Sequence, residues 1–100
     1  MKVTFTDRAE SDLEVIADWI AQDNPFRAAI FIQDLRDSCL NLAGAPFIHP
    51  VMSGFEEYDL RRRPYRGYLI FYKALKDVIE ITRILHGARD YGAMLSDGLE

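Results

Sequence analysis

The chain has 100 residues, of which 49% are hydrophobic and 28% charged, a balance that predicts one folded domain and excludes a disordered segment. Its formal net charge of -4 argues against affinity that comes mainly from neutralising phosphates. No apolar run is long enough to span a bilayer, no signal-peptide core is present, and the single cysteine, Cys39, excludes an internal disulfide, so the cytoplasm is the expected compartment. We expect the domain to cover residues 1–100, with 91–100 as a tail whose last residues, Leu99 and Glu100, could come from an expression vector.

The first quarter of the chain predicts a short strand and a helix. Residues 3–5 are β-branched or aromatic, which favours a strand. Thr6 or Asp7 can cap the helix that follows, and apolar residues recur at helical spacing as far as about Gln22. Acidic residues occupy most of the remaining surface of this helix.

A second helix is expected to follow almost at once. Asn24 is a good helix cap and Pro25 suits the first helical position. The helix is expected to end near Ala43 and Gly44, where glycine supplies a left-handed cap. The short connection predicts that the two helices form an antiparallel hairpin. Residues 45–57 have no clear period and are expected to form a loop.

The second half of the chain predicts three strands and a short helix. The strands are expected over residues 58–63, 67–74 and 78–86, and Pro64 is disfavoured inside the first of them. Residues 88–96 could form one short helix. This order predicts an α+β fold in which the helical hairpin packs on one face of a small antiparallel sheet. The first strand could pair at an edge of this sheet or join its centre.

The strand over residues 78–86 is expected at the centre of the sheet, because apolar residues fall on both of its faces. Strict alternation assigns one face to Ile79, Ile81, Arg83 and Leu85 and the other face to Glu80, Thr82, Ile84 and His86. The polar residues His86, Arg89 and Asp90 fall at its exit, where a strand end can present side chains to a partner. They could form a catalytic set in which His86 exchanges protons, or they could cap and charge the tail.

Four arginines form the densest charge cluster, at Arg61, Arg62, Arg63 and Arg66. Their guanidinium groups could bind phosphate or the carboxylates of an acidic partner. They could equally be the solvated face of a strand whose charges discourage edge pairing. Alternation places Arg62 opposite Arg61 and Arg63, so the cluster cannot all face one ligand.

The other residues that could carry chemistry are expected to have structural roles. His49 and His86 are too few for a metal site, and no cofactor motif is present. Cys39 lies on an apolar helical stripe and is expected in the core. Trp19 and Phe26 suit helix packing, though either could be exposed for a partner.

Several segments, taken in order, carry a resemblance to a known family. They are Ala9–Leu13, Ile16–Ile20, Asn24-Pro25 with Ala28-Ala29, Leu60-Arg61, Tyr68–Tyr72 and Ile79–Asp90, the last closing on Arg-Ile-Leu-His-Gly-Ala-Arg-Asp. In this order they resemble the ParE toxins of the RelE/ParE superfamily of type II toxin–antitoxin systems over almost the whole chain. The resemblance implies the RelE/ParE-like arrangement of a helical hairpin on a small sheet.

The resemblance also implies a function. It implies a toxin that inhibits DNA gyrase, a type II topoisomerase, by binding and without a cofactor, and a ParD-like antitoxin that neutralises it in a hetero-oligomeric complex. No sequence-specific nucleic-acid binding by the toxin alone is expected. The residues expected to contact the antitoxin are Trp19, Arg61, Arg62, Arg63 and Arg66. Those expected to contact the target are Arg83, His86, Arg89, Asp90 and Tyr91.

The RelE branch of the superfamily suggests the main alternative, a ribosome-dependent endoribonuclease that cleaves messenger RNA. Its catalytic residues would be found among Arg61, Arg83, His86, Arg89 and Tyr91. The acidic balance of the chain argues against this alternative, because an acidic protein gains little ribosome affinity from counterion release. A third possibility is a degenerate member that only pairs with its antitoxin.

Overall fold

The computed structural model describes residues 1–88 and 91–99, and it confirms the predicted α+β fold. The elements in chain order are β1 (Lys2–Phe5), α1 (Asp7–Ala21), α2 (Pro25–Leu40), β2 (Leu60–Tyr65), β3 (Tyr68–Ala74), β4 (Val78–His86) and α3 (Tyr91–Leu99). Arg89, Asp90 and Glu100, which the sequence analysis assigned to the target site and the tail, lie outside the described residues. None of the helices within those residues is long and apolar enough to cross a membrane.

The sheet is four-stranded, with the order β1-β4-β3-β2. β4 lies between β1 and β3, so its predicted central position is confirmed. β2, β3 and β4 form an antiparallel meander, whereas β1 pairs with β4 in the parallel direction. β1 therefore occupies an edge, one of the two positions that the sequence left open for it, and the predicted antiparallel arrangement holds for β2, β3 and β4.

Local side-chain caps start both long helices. The Thr6 hydroxyl accepts a hydrogen bond from the Ala9 N–H at 3.1 Å and donates one to the Thr82 carbonyl at 2.8 Å, which ties the start of α1 to β4. Asn24 Oδ1 accepts from the Arg27 N–H at 3.1 Å at the start of α2. Both caps agree with the preferences of these residue types.

The predicted glycine cap of the second helix is wrong. α2 ends at Leu40 and continues as a 3₁₀ turn over Asn41–Gly44. Gly44 is not among the residues with positive φ. The tighter turn bonds the Ala45 N–H to the Leu42 carbonyl at 3.1 Å, so the chain ends its helical segment without a left-handed residue.

The main core lies between the helical hairpin and one face of the sheet. Its buried members are Ala9, Leu13, Ile16, Leu35, Cys39, Leu42, Ile70, Tyr72, Ile79, Ile81 and Ile84. Both helices therefore cover the same face of the sheet, as the sequence predicts. Cys39 is fully buried in this core, and burial raises the pKa of its thiol to about 12.

A second, smaller cluster covers the opposite face of the sheet. Its buried members are Leu60, Phe71, Leu85 and Leu95, with Met52, Phe55, Tyr58, Leu69, Tyr91 and Met94 packed against them. The loop before β2 and the C-terminal helix α3 supply most of this cover. Burial on both faces explains why apolar side chains fall on both faces of β3 and β4.

A β-bulge shifts the faces of β4. Tyr72 pairs with Ile81 and Phe71 pairs with Arg83, which leaves Thr82 as an extra residue. Beyond the bulge, Ile84 joins the helix-side core and Leu85 joins the opposite cluster. The sheet faces predicted for the side chains of β4 are therefore wrong from Arg83 onward. Strict alternation holds only where neither strand of a pair contains an extra residue.

The turn between β2 and β3 uses two residues with positive φ, Arg66 at 45° and Gly67 at 87°. Such a two-residue turn matches the twist of antiparallel strands. β2 runs through Pro64 to Tyr65, beyond its predicted end at residue 63. Proline has no main-chain N–H. An edge strand tolerates it at a position where the N–H would point away from the neighbouring strand and would make no hydrogen bond within the sheet.

Candidate functional site

A groove runs beside the second half of β4, because β1 is much shorter than β4. β1 pairs with β4 only as far as Phe5 and Ile81, whereas β4 continues to His86. α1 forms the opposite wall. The groove has a volume of about 610 Å³ and is lined by Asp12, Val15, Ile16, Trp19, Tyr68, Arg83, Ile84, Leu85 and His86. We refer to it as the α1–β4 groove.

A buried ion pair closes the inner end of the α1–β4 groove. Arg83 Nε lies 2.8 Å from Asp12 Oδ2 and Arg83 Nη2 lies 2.9 Å from Asp12 Oδ1. The Ile84 N–H also donates to Asp12 Oδ2 at 2.9 Å, and Arg83 Nη1 donates to the Met94 carbonyl at 3.4 Å. The hydrogen bonds that Arg83 donates to the Asp12 carboxylate raise the pKa of Arg83, so this guanidinium remains charged. The pair joins α1, β4 and α3.

The outer part of the groove is apolar and accessible. Val15 and Trp19 lie one helical turn apart on α1, and Trp19 is 70% exposed. Facing them, the rings of Tyr68 and His86 meet edge to face, with centroids 5.3 Å apart. His86 Nδ1 accepts a hydrogen bond from the Ala88 N–H at 3.1 Å, which orients the imidazole. The groove therefore offers exposed aromatic and aliphatic side chains beside a neutralised ion pair.

The arginines of β2 do not form one surface. Arg61 and Arg63 face the helix side, where they oppose Tyr72 and Ile70. Arg62 faces the other side, where its Nη1 donates to the Tyr91 hydroxyl at 3.0 Å. The alternation that the sequence predicts for these arginines is present in the strand.

The individual arginines also differ in accessibility. Arg61 donates to the His49 carbonyl at 2.7 Å, and its guanidinium lies 5.1 Å from the centre of the Phe47 ring. Its side chain is only 14% exposed. Arg66, at the hairpin turn, is largely exposed and lies 3.7 Å from Asp34 Oδ2. Arg62 and Arg66 are therefore the most exposed arginines of this cluster.

The residues assigned to the target lie in different places. His86 lines the α1–β4 groove, whereas Tyr91 packs at 5.4 Å from the Phe71 ring on the opposite face of the sheet. Arg83 is 9% exposed and holds Asp12. Among the residues assigned to the antitoxin, Trp19 shares the groove with His86. These contact roles stay predictions. No group of histidine, cysteine and acidic residues within 1–88 and 91–99 could hold a metal ion.

Sequence reasoning missed Asp12 and Val15 as parts of a site. Asp12 is one of the acidic residues that helical spacing assigns to the surface of α1, yet it lies on the side of the helix that faces β4 and pairs with Arg83, 71 residues away. A signal was present, because Arg83 is the one charged residue of the segment 81–85, in a strand that the sequence predicts to be covered on both faces. Such a residue requires a buried partner of opposite charge, and an acid next to the apolar stripe of α1 is a suitable one.

Comparison with known proteins places the chain in a family. A family model described as "ParE toxin of type II toxin-antitoxin system, parDE" matches residues 3–91. A solved structure described as a chromosomal ParDE TA system from P. aeruginosa has 20% sequence identity and a TM-score of 0.73, over 86% of this chain and 95% of that chain. At this identity the structural likeness concerns the fold alone. No protein with a curated description matches the chain. The family match covers nearly all of the chain, which therefore belongs to the ParE toxin family of type II toxin–antitoxin systems.

Proposed function

We propose that the chain is a cytoplasmic toxin that inhibits DNA gyrase by binding and is neutralised by a ParD-like antitoxin. The observation that carries the proposal is the ParE family match over residues 3–91. The chain is acidic, with a net charge of -4, and is therefore better suited to binding a protein than to binding the phosphate backbone of a nucleic acid. Inhibition by binding needs no cofactor.

The separation of the candidate ribonuclease residues supports binding over catalysis. A general acid or base has to lie within hydrogen-bond reach of the reacting group, and its partners have to converge on the same point. Here Arg61 lies on the helix side of the edge strand, Tyr91 lies on the opposite face, and His86 lines the α1–β4 groove. Arg83 is engaged with Asp12. These described residues do not converge on one substrate position.

The exposed apolar side chains support a protein partner. Trp19, Phe26 and Ile30 all lie on the helical hairpin, and Phe26 is 84% exposed. Large apolar side chains grouped on one part of a small protein mark an interaction surface more often than a solvated one. An antitoxin that covers the hairpin would remove this surface from water.

The decisive experiment is a supercoiling assay with purified gyrase and purified toxin. The toxin is expected to reduce supercoiling and to accumulate cleaved DNA, and addition of the ParD-like antitoxin is expected to restore activity. Primer extension on messages from cells that express the toxin serves as the contrasting measurement. Normal gyrase activity at excess toxin, together with cut messages, would replace gyrase inhibition with ribonuclease activity. Intact gyrase activity, intact messages and normal growth would indicate a member that only pairs with its antitoxin.

A further inference from the structure

The second half of β4 has an open edge on the side where β1 lies. The last main-chain bond from the β1 side runs from the Thr6 N–H to the Ile81 carbonyl at 3.0 Å, after which the chain turns away into α1. The Thr6 hydroxyl then reaches the Thr82 carbonyl, and Asp12 reaches the Ile84 N–H. Within the part of the chain that the structure describes, no strand lies beside β4 beyond this point.

The direction of the main-chain groups at this edge follows from two hydrogen bonds. The Gly87 N–H donates to the Gly67 carbonyl at 2.9 Å, on the β3 side. The Ile84 N–H donates to Asp12 at 2.9 Å, on the side away from β3. Because these directions alternate along an antiparallel ladder, the Ile84 carbonyl and the His86 N–H also point away from β3. No hydrogen bond joins either group to another of the described residues 1–88 and 91–99.

The α1–β4 groove follows this open edge. Four successive residues, Arg83 to His86, line one wall, although Ile84 and Leu85 send their side chains to opposite faces of the sheet. A groove lined by both kinds of residue runs along the edge of the strand and not over one of its faces. An unpaired donor and acceptor at such an edge are complementary to the main chain of another strand.

We propose that the α1–β4 groove binds an extended segment of the antitoxin, which pairs with the main chain of Ile84 and His86 and takes the position in the sheet that β1 leaves after Phe5. This inference rests on the proposed function and specifies the antitoxin conformation at one site. Alternate side chains of the segment pack against Val15 and Trp19 on α1.

The charges around the groove define the segment further. Asp12 is already neutralised by Arg83, so the interior of the groove suits apolar side chains. Glu14 and Asp18 are exposed one turn apart on α1, next in sequence to Val15 and Trp19. The segment therefore carries a lysine or arginine beside its apolar residues, where it meets these carboxylates.

A matched pair of variants at His86 tests the main-chain bond. His86→Ala and His86→Pro both remove the imidazole, its bond from the Ala88 N–H and its contact with Tyr68. Only proline removes the main-chain N–H as well, at an edge position where proline is tolerated. Affinity for the purified ParD-like antitoxin is measured by calorimetry. We expect His86→Pro to bind roughly 10- to 100-fold more weakly than His86→Ala, because the antitoxin carbonyl loses its donor on burial.

Two outcomes separate this inference from the proposed function. If the unmodified toxin does not bind the antitoxin, the proposed function fails and this inference fails with it. If the unmodified toxin binds and the two His86 variants bind equally, only the extended segment is overturned. Because proline could disturb β4, amide hydrogen exchange of the unmodified toxin provides a second measurement. Exchange at the His86 amide is expected to slow at least roughly tenfold in the complex, and an unchanged rate would also overturn the inference.

Discussion

The ion pair between Asp12 and Arg83 is the contact on which the local structure of the α1–β4 groove depends. The Asp12 carboxylate accepts from two guanidinium nitrogens and from the Ile84 N–H, and Arg83 also reaches the Met94 carbonyl. The two side chains are 11% and 10% exposed, so both charges are largely removed from water. Loss of either partner leaves the other charge buried without compensation, which costs more than the net stabilisation from the pair itself.

Substitution of Asp12 should therefore be strongly destabilising. We expect Asp12→Ala to lower the free energy of unfolding by about 3–5 kcal/mol, because Arg83 stays buried without its partner. The double variant Asp12→Ala/Arg83→Met should lose less than the sum of the two single variants, since no charge is then left unpaired. Urea unfolding followed by circular dichroism provides both values.

The pair between Glu10 and Arg36 is the matched control for Asp12. Its atoms are also 2.8 Å apart, but both side chains are partly exposed. The hydrogen bond from Arg36 lowers the pKa of Glu10, while solvent screens the interaction. Glu10→Ala should cost no more than about 1 kcal/mol. Equal losses for Asp12→Ala and Glu10→Ala would show that burial does not distinguish the two pairs.

At the scale of single elements, the turn between β2 and β3 depends on the conformational freedom of one glycine. Gly67 has a φ of 87°, and a Cβ added there would meet no atom within 4 Å. Any cost of a side chain at this position therefore comes from the backbone and not from a clash. We expect Gly67→Ala to lower the free energy of unfolding by about 1–2 kcal/mol, the usual cost of a left-handed residue with a side chain.

Gly44 offers a control with the same open space and a different backbone. A Cβ at Gly44 would also meet nothing within 4 Å, and Gly44 does not have a positive φ. Gly44→Ala should be neutral or stabilise by up to about 1 kcal/mol, because alanine reduces the entropy of the unfolded chain. Thermal unfolding of the two variants compares them directly. A loss at Gly44→Ala as large as that at Gly67→Ala would contradict this account.

The elements that the sequence predicted well are those whose ends depend on contacts between residues close together in the chain. Thr6 and Asn24 each bond to an N–H three residues further on, so residue type alone indicates the start of each helix. The bulge at Thr82 depends on how β3 pairs with β4, and the Asp12 contact joins residues that are far apart in the chain. Such long-range choices leave no periodic signal. The division of Arg61, Arg62 and Arg63 between two faces of the sheet was predictable, by contrast, because it follows from strand alternation alone.

At the scale of the whole molecule, the chain buries two clusters and still leaves several large apolar side chains in water. The helices cover one face of the sheet, and the loop before β2 together with α3 covers the other. The exposed side chains include Val15, Trp19, Phe26, Ile30, Phe47 and Ile48. A domain of this size has a small free energy of unfolding. Binding of a partner that buries part of this surface should therefore raise its apparent stability substantially.

Thermal unfolding in the presence of the ParD-like antitoxin should show this stabilisation. At free antitoxin about 100-fold above Kd, binding stabilises the toxin by about 2.7 kcal/mol, which corresponds to a rise in Tm of about 10–20 °C for a domain of this size. Trp19→Ala should reduce the rise because it removes an exposed wall of the α1–β4 groove. Leu75→Ala should leave the rise unchanged, since Leu75 is also exposed but follows β3 at the turn that precedes β4, at the far end of β4 from the groove. An equal rise for all three proteins would place the antitoxin contact away from the groove.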